Sequence, residues 1–152
     1  MTDRPNSWLL LAGSGNAALA ALHVVIMAVG EPAYLYFGAA RFAELAAQGS
    51  AWPATATAGI IVVLLVWSLY AFSGAGMFRR LPYVRTALWL IAGIYTLRGL
   101  VVVLDVARSV HGAAFPLRQT AFSAAALALG IVHAVGTYRL RGSPPEITAR
   151  VA

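Results

Sequence analysis

The stretch that decides the fold runs from Ala54 to Phe78 and reads ATATAGIIVVLLVWSLYAFSGAGMF, without a single charged residue. A helix needs about 20 mostly apolar residues to cross a hydrocarbon core of about 30 Å. Backbone polar groups in lipid must be hydrogen-bonded within their own segment, which an isolated open strand cannot achieve. The sequence therefore predicts a membrane-spanning helix over this stretch.

Three further runs have the same apolar character, and they are Trp8–Gly30, Thr86–Val106 and Leu117–Tyr138. The first of them is uncharged, the second contains Arg98 and Asp105, and the third has one arginine near its start. Four spans occupy most of the chain and leave no soluble domain. We therefore predict an all-α integral membrane protein, a left-handed bundle of four helices, followed by a flexible cytoplasmic tail over residues 142–152.

The composition supports the same fold class. Of the 152 residues, 61% are hydrophobic and 11% are charged, whereas a soluble domain has about 45–50% apolar and about 25% charged residues. A chain this short has too little interior to hide the excess, so a soluble domain is excluded, and so is a disordered chain. The absence of cysteine excludes disulfides, thiolate metal sites and cysteine nucleophiles.

The distribution of the arginines predicts the orientation. The chain has a net charge of +6 and no lysine, so its positive side chains are all arginines. Three arginines, Arg41, Arg108 and Arg118, fall on one side of the predicted spans. Seven fall on the side of the termini and of the second loop: Arg4, Arg79, Arg80, Arg85, Arg139, Arg141 and Arg150. The positive-inside rule places that side in the cytoplasm. We expect a multi-pass protein of the bacterial inner membrane in contact with membrane lipids, and the basic charge then indicates no nucleic-acid partner.

The long connection over residues 31–53 is predicted to lie outside. Ala39–Gln48 is compatible with a short helix, in which Arg41 and Glu44 are three residues apart. Aromatic residues crowd the same region, as is typical of a membrane interface; they are Tyr34, Tyr36, Phe37, Phe42 and Trp52. We predict a short interfacial helix on the outer surface.

Arg98 is the most informative polar residue, because it lies roughly 18 Å into its span at about 1.5 Å per residue. An arginine at that depth costs about 2.5–3.5 kcal/mol and should face the bundle with a partner. Asp105 lies on nearly the same face, and Glu31 at the outer end of the first span is an alternative partner. Arg98 either binds a polar or anionic headgroup or forms a buried ion pair that sets the helix register.

His23 lies at a depth similar to that of Arg98, roughly 22 Å from the cytoplasmic end of its span. Asn16 shares its face, and Glu31 is close in sequence. These residues predict a shared polar pocket in the outer half of the bundle, roofed by Tyr34 and Tyr36. The candidate ligand-binding residues are His23, Arg98, Glu31, Asp105, Tyr95 and Asn16. Alternatively, His23 is hydrogen-bonded to a neighbouring helix and binds nothing.

Small residues within the spans favour close helix packing. Gly13–Ala18 matches the glycine-rich dinucleotide fingerprint, but that motif requires a preceding strand and a βαβ unit. Inside a spanning helix the match is accidental, and the small side chains let helices approach closely. Ala126, Gly130 and Ala134, four residues apart, are predicted to do the same.

The histidines do not predict a haem or metal site. Two haem-ligating imidazoles must lie at similar depth on facing helices. His133 is roughly 8 Å deep and misses His23 by about 14 Å at the same rise per residue, while His111 falls in a loop. No two metal-ligating residues show helical i,i+3 or i,i+4 spacing. We therefore expect no metal and no cofactor.

Transport and hydrolysis receive little support from the sequence. A proton-coupled exporter of four spans would carry a carboxylate well inside its first helix, where this chain has none. A dual-topology channel would have balanced loop charges. No G-x-S-x-G motif or serine–histidine–aspartate order predicts a hydrolase.

Several segments resemble those of small bacterial four-span inner-membrane proteins of the DoxX-like group. They are Tyr36–Ala39, Tyr70–Gly76, Arg79–Pro82 and Tyr95–Leu100. The resemblance covers less than half of the chain. It implies a four-helix bundle with both ends in the cytoplasm and supplies no reaction.

The leading functional hypothesis is a non-enzymatic membrane protein that binds a lipid, quinone or other amphiphilic ligand, or an accessory subunit of a homo-oligomer or larger membrane complex. His23 and Arg98 would hold the polar head, and Glu31 and Asp105 would neutralise Arg98 in the empty site. One alternative is a small redox or lipid-modifying enzyme with His23 as acid and base. A second alternative is an oligomeric small-solute transporter.

Overall fold

The computed structural model describes residues 5–110 and 117–140, without the side chains of Asp105 and Arg108. The described residues form helices and no strand, which confirms the predicted all-α class. The helices are α1 (Ser7–Val29), α2 (Glu31–Tyr36), α3 (Ala40–Ala47), α4 (Trp52–Ala75), α5 (Val84–Gly99), α6 (Val101–Val110) and α7 (Leu117–Arg139). The predicted tail over residues 142–152 lies outside the described residues.

Four helical stretches are long and apolar enough to cross a membrane: α1, α4, the stretch Val84–Leu104, which comprises α5 and the first part of α6, and α7. They alternate in direction along the chain. α1 packs against α4 and α7, and α5 packs against α7 and α4. The four helices thus close a ring in which α1 and α5 face each other across the bundle.

The bundle covers only a minor part of each of these helices. Between 28% and 33% of the residues in each apolar window are buried inside the protein. Large apolar side chains cover the outer faces, such as those of Leu65, Ile94 and Ile131. Soluble monomers rarely expose a continuous apolar surface of this extent. A hydrocarbon environment around the bundle would keep these apolar side chains out of water.

Glycines bring the helices into close contact. A Cβ added to Gly99 of α5 would lie 2.6 Å from backbone atoms of Leu127 in α7. Gly13 lies under the ring of Phe72, and its carbonyl accepts a 2.8 Å hydrogen bond from Ser68 Oγ. The α1 helix runs through Gly13–Ala18, so this segment packs helices, as predicted, and forms no nucleotide loop.

The predicted third span is divided at Leu100. The sequence predicted one helix from Thr86 to Val106, whereas α5 ends at Gly99 and α6 begins at Val101. Gly99 is the residue that allows α5 to touch the backbone of Leu127, and glycine is also a weak helix former. The interruption therefore coincides with the close contact between α5 and α7.

The end of the bundle around residues 76–83, called the turn end here, is fixed by side chains of the adjoining helices. Asn6 caps α1 through its Oδ1, donates from Nδ2 to the carbonyl of Gly136 at 2.9 Å, and donates from its backbone N–H to Ala75. Gly76 ends α4 in the left-handed conformation, with φ of 87°. These bonds hold the ends of α1, α4 and α7 together.

The opposite end, called the cap end here, carries α2 and α3. Gly30 ends α1 with φ of 76°, and α2 starts directly after it, which the sequence did not predict. The predicted short helix over Ala39–Gln48 is present as α3, and Arg41 Nη1 lies 2.6 Å from Glu44 Oε2 on its exposed side. Tyr34 is buried under this cap and donates from its hydroxyl to Thr57 Oγ1 at 3.0 Å.

Candidate ligand-binding site

A buried hydrogen-bond network ties three helices together in the middle of the bundle. Tyr95 of α5 donates from its hydroxyl to Asn16 Oδ1 of α1 at 2.7 Å. Asn16 Nδ2 donates to His133 Nε2 of α7 at 3.2 Å. Asn16 and His133 are fully buried. Because Nε2 accepts this bond, the proton of the neutral His133 ring lies on Nδ1, which donates to the carbonyl of Leu129 at 2.9 Å.

Each side-chain nitrogen and oxygen atom of Tyr95, Asn16 and His133 has a hydrogen-bond partner, so we assign the network a structural role. The Tyr95 ring packs edge-on against Trp67, with 5.3 Å between the ring centroids, and lies 5.6 Å from the His133 ring. Polar groups in lipid without a partner are costly, and a satisfied set specifies how the helices pack. His133 has no ring nitrogen left for a substrate or a haem.

A cavity of about 300 Å³ lies next to this network, among α1, α5 and α7. Its polar lining consists of His23 and Arg98, with Tyr95 between the cavity and the network. The remaining lining is apolar and comprises Leu19, Leu22, Ile26, Phe37, Phe122, Ala125, Ala126 and Leu129. The cavity is open at its edge, so a molecule bound there can extend beyond the bundle.

The structure brings together three of the residues that the sequence singled out. His23, Tyr95 and Arg98 line the same cavity. Asn16 is not part of the lining but holds the Tyr95 hydroxyl from behind. Tyr95 therefore presents its ring to the cavity, while its hydroxyl is committed to Asn16.

His23 and His133 make the same local bond and differ in whether their other ring nitrogen has a described hydrogen-bond partner. His23 Nδ1 bonds the carbonyl of Leu19 at 2.8 Å, four residues earlier, as His133 Nδ1 bonds that of Leu129. His133 Nε2 is occupied by Asn16. No hydrogen bond to His23 Nε2 occurs among the residues that the structure describes, and His23 lines the cavity.

Arg98 is held at the edge of the cavity by α7. Its Nη1 donates to Ser123 Oγ at 3.1 Å, while Ser123 itself is buried. The arginine side chain remains exposed rather than enclosed. A guanidinium group has five N–H donors, so one bond to Ser123 leaves donors for a ligand.

Two stacked phenylalanine rings lie at the cap end of the cavity. Phe37, between α2 and α3, stacks on Phe122 of α7 with 5.4 Å between the centroids. Phe37, His23 and Ile26 also line a second cavity of about 180 Å³ under the cap, together with Tyr34. The sequence predicted a roof of Tyr34 and Tyr36, but Phe37 forms that side of the cavity.

Neither of the two acidic residues proposed as partners of Arg98, Glu31 and Asp105, is placed in the cavity by the described side chains. Glu31 is exposed at the start of α2 and does not line the cavity. The side chain of Asp105 lies outside what the structure describes. Between the described side chains, the one ion pair is that of Arg41 and Glu44. Among the described residues, the hydrogen-bond partner of Arg98 is Ser123, which was not predicted from the sequence.

The pairing of His133 with Asn16 and its ring contact with Tyr95 were not predicted from the sequence. The depth of His133 was compared with that of His23, from which it differs by about 14 Å at 1.5 Å per residue. Asn16 is the better match, because Asn16 and His133 lie roughly 14 Å and 9 Å from the turn end at the same rise per residue. A polar residue at matching depth on an adjacent span was the available signal.

Within the described parts of the chain, no group of three histidine, aspartate, glutamate or cysteine residues is arranged to hold a metal ion. Among the described side chains, the cavity lining contains one cationic group and no carboxylate. Its chemistry therefore suits a ligand that carries negative charge or oxygen acceptors.

Comparisons of the chain with protein-family models, with curated proteins and with solved structures found no match.

Proposed function

We propose that this chain is a multi-pass membrane protein that binds the polar head of an amphiphile in the cavity lined by His23 and Arg98. The observation that carries the proposal is the placement of these two side chains in one otherwise apolar cavity. Ligand sites typically combine apolar walls with a few convergent polar groups. The four apolar helices and their uncovered faces support a membrane location.

The size of the cavity favours a headgroup rather than a whole lipid. A volume of about 300 Å³ is at the lower end of ligand pockets. A water molecule takes up about 30 Å³ of the liquid, so this space corresponds to a head of roughly ten heavy atoms. The acyl or isoprenoid tail would leave through the open edge and lie along apolar side chains such as Leu22.

The energetics of Arg98 favour an anionic or acceptor-rich head. A charged arginine within a span costs about 2.5–3.5 kcal/mol unless its donors are satisfied. Ser123 satisfies one donor without supplying charge. A phosphate or a carbonyl oxygen in the cavity would accept from the others, and charged hydrogen bonds of this kind are about twice as strong as neutral ones.

We propose the orientation that the arginines predict, with the turn end and both termini in the cytoplasm and the cap end outside. The turn end carries Arg79, Arg80, Arg85 and Arg139, and the cap end carries Arg41 and Arg118. A bacterial inner membrane is the proposed location, in keeping with the resemblance to DoxX-like proteins. The cavity then lies nearer the outer leaflet, because Phe37 of the cap borders it.

A binding experiment with defined lipids tests the proposed function. Purified protein in mild detergent is titrated with phosphatidylglycerol or phosphatidylcholine, and bound lipid is counted by native mass spectrometry. We expect one preferred site for the anionic lipid in the wild type and its loss in Arg98→Gln. Arg85→Gln is the matched control, because Arg85 lies on the same helix in the exposed first turn of α5. Equal loss in both variants would contradict a site at Arg98.

A further inference from the structure

We infer that the cavity selects amphiphiles whose head carries a hydroxyl group in addition to an oxygen acceptor. This inference rests on the proposed function and specifies its ligand class. It depends on one feature of the structure, which is the hydrogen bond that fixes the proton of the His23 ring. The bond joins His23 Nδ1 to the carbonyl oxygen of Leu19 at 2.8 Å.

A carbonyl oxygen can only accept, so His23 Nδ1 must be the donor. A neutral imidazole has one N–H, and in His23 that group is therefore used on Leu19. The other nitrogen, Nε2, then carries a lone pair and can only accept. Since His23 lines the cavity, the ring offers a ligand an acceptor there and no donor.

His133 shows that the same arrangement works as an acceptor elsewhere in this protein. Its Nδ1 bonds the carbonyl four residues earlier, and its Nε2 accepts from Asn16. His23 repeats the first bond one helix away. Asn16 donates to Nε2 of His133, but no described residue donates to Nε2 of His23. A ligand in the cavity could supply that donor.

Arg98 supplies the opposite chemistry at the same cavity. Its guanidinium donates and never accepts, and one of its donors is used on Ser123. A head that satisfies both residues must therefore accept from Arg98 and donate to His23 Nε2. A head with acceptors alone would leave the Nε2 lone pair without a hydrogen bond in a largely apolar site.

Two kinds of membrane amphiphile share this chemistry. Phosphatidylglycerol has an anionic phosphate and free glycerol hydroxyls, and a quinol has phenolic hydroxyls whose oxygens also accept. Each has a close analogue without the donor. Phosphatidylmethanol keeps the phosphate and the charge, and the corresponding quinone keeps the ring and both oxygens.

The test compares each amphiphile with its analogue on the full chain. Binding of phosphatidylglycerol and phosphatidylmethanol is titrated at pH 7.5, and so is binding of decylquinol and decylquinone under anaerobic conditions. The proteins are the wild type, His23→Phe and Val25→Phe. Phenylalanine keeps a ring in place of the imidazole without an acceptor, and Val25 is a control on the exposed face of α1.

We expect the wild type and Val25→Phe to prefer the hydroxyl-bearing member of at least one pair by about fivefold, which corresponds to about 1 kcal/mol for one hydrogen bond. In His23→Phe the ratio of the two affinities should fall to about one. The hydroxyl-bearing member loses its acceptor, whereas binding of the analogue is retained. A preference in the lipid pair or in the quinol pair identifies the source of the head.

Three results would overturn the inference, and they differ in what they imply for the proposed function. Equal binding within both pairs in the wild type would refute selection of a hydroxyl while leaving the Arg98 site intact. A preference that survives in His23→Phe would place the acceptor elsewhere. No saturable binding of any of the four amphiphiles would refute the proposed function and this inference together.

Discussion

The hydroxyl of Tyr95 lies 2.7 Å from Asn16 Oδ1 and so joins two helices that face each other across the bundle. α1 and α5 have few other contacts, since each packs mainly against its neighbours in the ring. The bond also orients the Asn16 amide, whose Nδ2 is then directed at His133. One hydrogen bond thus sets both the diagonal spacing of the bundle and the inner wall of the cavity.

Removing the Tyr95 hydroxyl should destabilise the bundle. We expect Tyr95→Phe to lower the free energy of unfolding by about 1 kcal/mol, because Asn16 Oδ1 loses its donor within the bundle. Tyr83→Phe should change it little, since Tyr83 is 85% exposed in the turn. Unfolding in mixed micelles with increasing denaturing detergent measures both. Equal effects of the two substitutions would show that the Tyr95 bond contributes nothing.

The two histidines of the long helices should respond differently to the same substitution. His133→Phe should lower the free energy of unfolding by about 1–3 kcal/mol, because Asn16 Nδ2 is left buried without an acceptor. His23→Phe should leave stability nearly unchanged, since no described group donates to His23 Nε2. Thermal unfolding followed by circular dichroism compares them. A larger loss of stability in His23→Phe would argue that His23 is structural.

Gly99 should not tolerate a methyl group, whereas Gly93 on the same helix should. A Cβ at Gly99 would meet the backbone of Leu127 at 2.6 Å, while a Cβ at Gly93 meets nothing within 4 Å. We expect Gly99→Ala to destabilise the protein by about 1–3 kcal/mol through overpacking. Gly93→Ala should be neutral or stabilising by up to about 1 kcal/mol, because alanine is the better helix former. The same unfolding measurement on both variants decides this, and a harmless Gly99→Ala would refute the close contact.

Single cysteines can test the orientation directly, because the chain contains none. Gln48 is exposed at the end of α3 in the cap, and Tyr83 is exposed at the turn end. In spheroplasts, a membrane-impermeant maleimide should label Gln48→Cys before lysis and Tyr83→Cys only after lysis. The reverse pattern would invert the orientation, and labelling of both before lysis would contradict four spans.

The apolar runs were sufficient to predict the helical class and the four long helices, because charged residues are nearly absent from them. The ends of the helices depended on local chemistry. α4 starts at Trp52 rather than after Pro53, since proline is accepted in the first turn of a helix, and it ends where Gly76 turns left-handed. The division at Leu100 was not predictable, because it accompanies a contact between Gly99 and a helix distant in sequence.

The candidate site could be predicted only in part. Depth along a span and the cost of burying charge were enough to single out His23 and Arg98, which do line one cavity. The rotation of each helix about its own axis determined which polar side chains meet. It turned Asn16 towards His133 and Tyr95, and it placed Ser123 next to Arg98. Depth alone does not reveal which faces meet.

The most direct test of the central claim, that Arg98 and His23 hold an amphiphile, is native mass spectrometry of the protein released from its own membrane in gentle detergent. The account predicts a defined extra mass on the wild type that is absent from Arg98→Ala, while the variant unfolds at the same temperature. Bare wild-type protein, or the same mass retained by a folded Arg98→Ala variant, would contradict it.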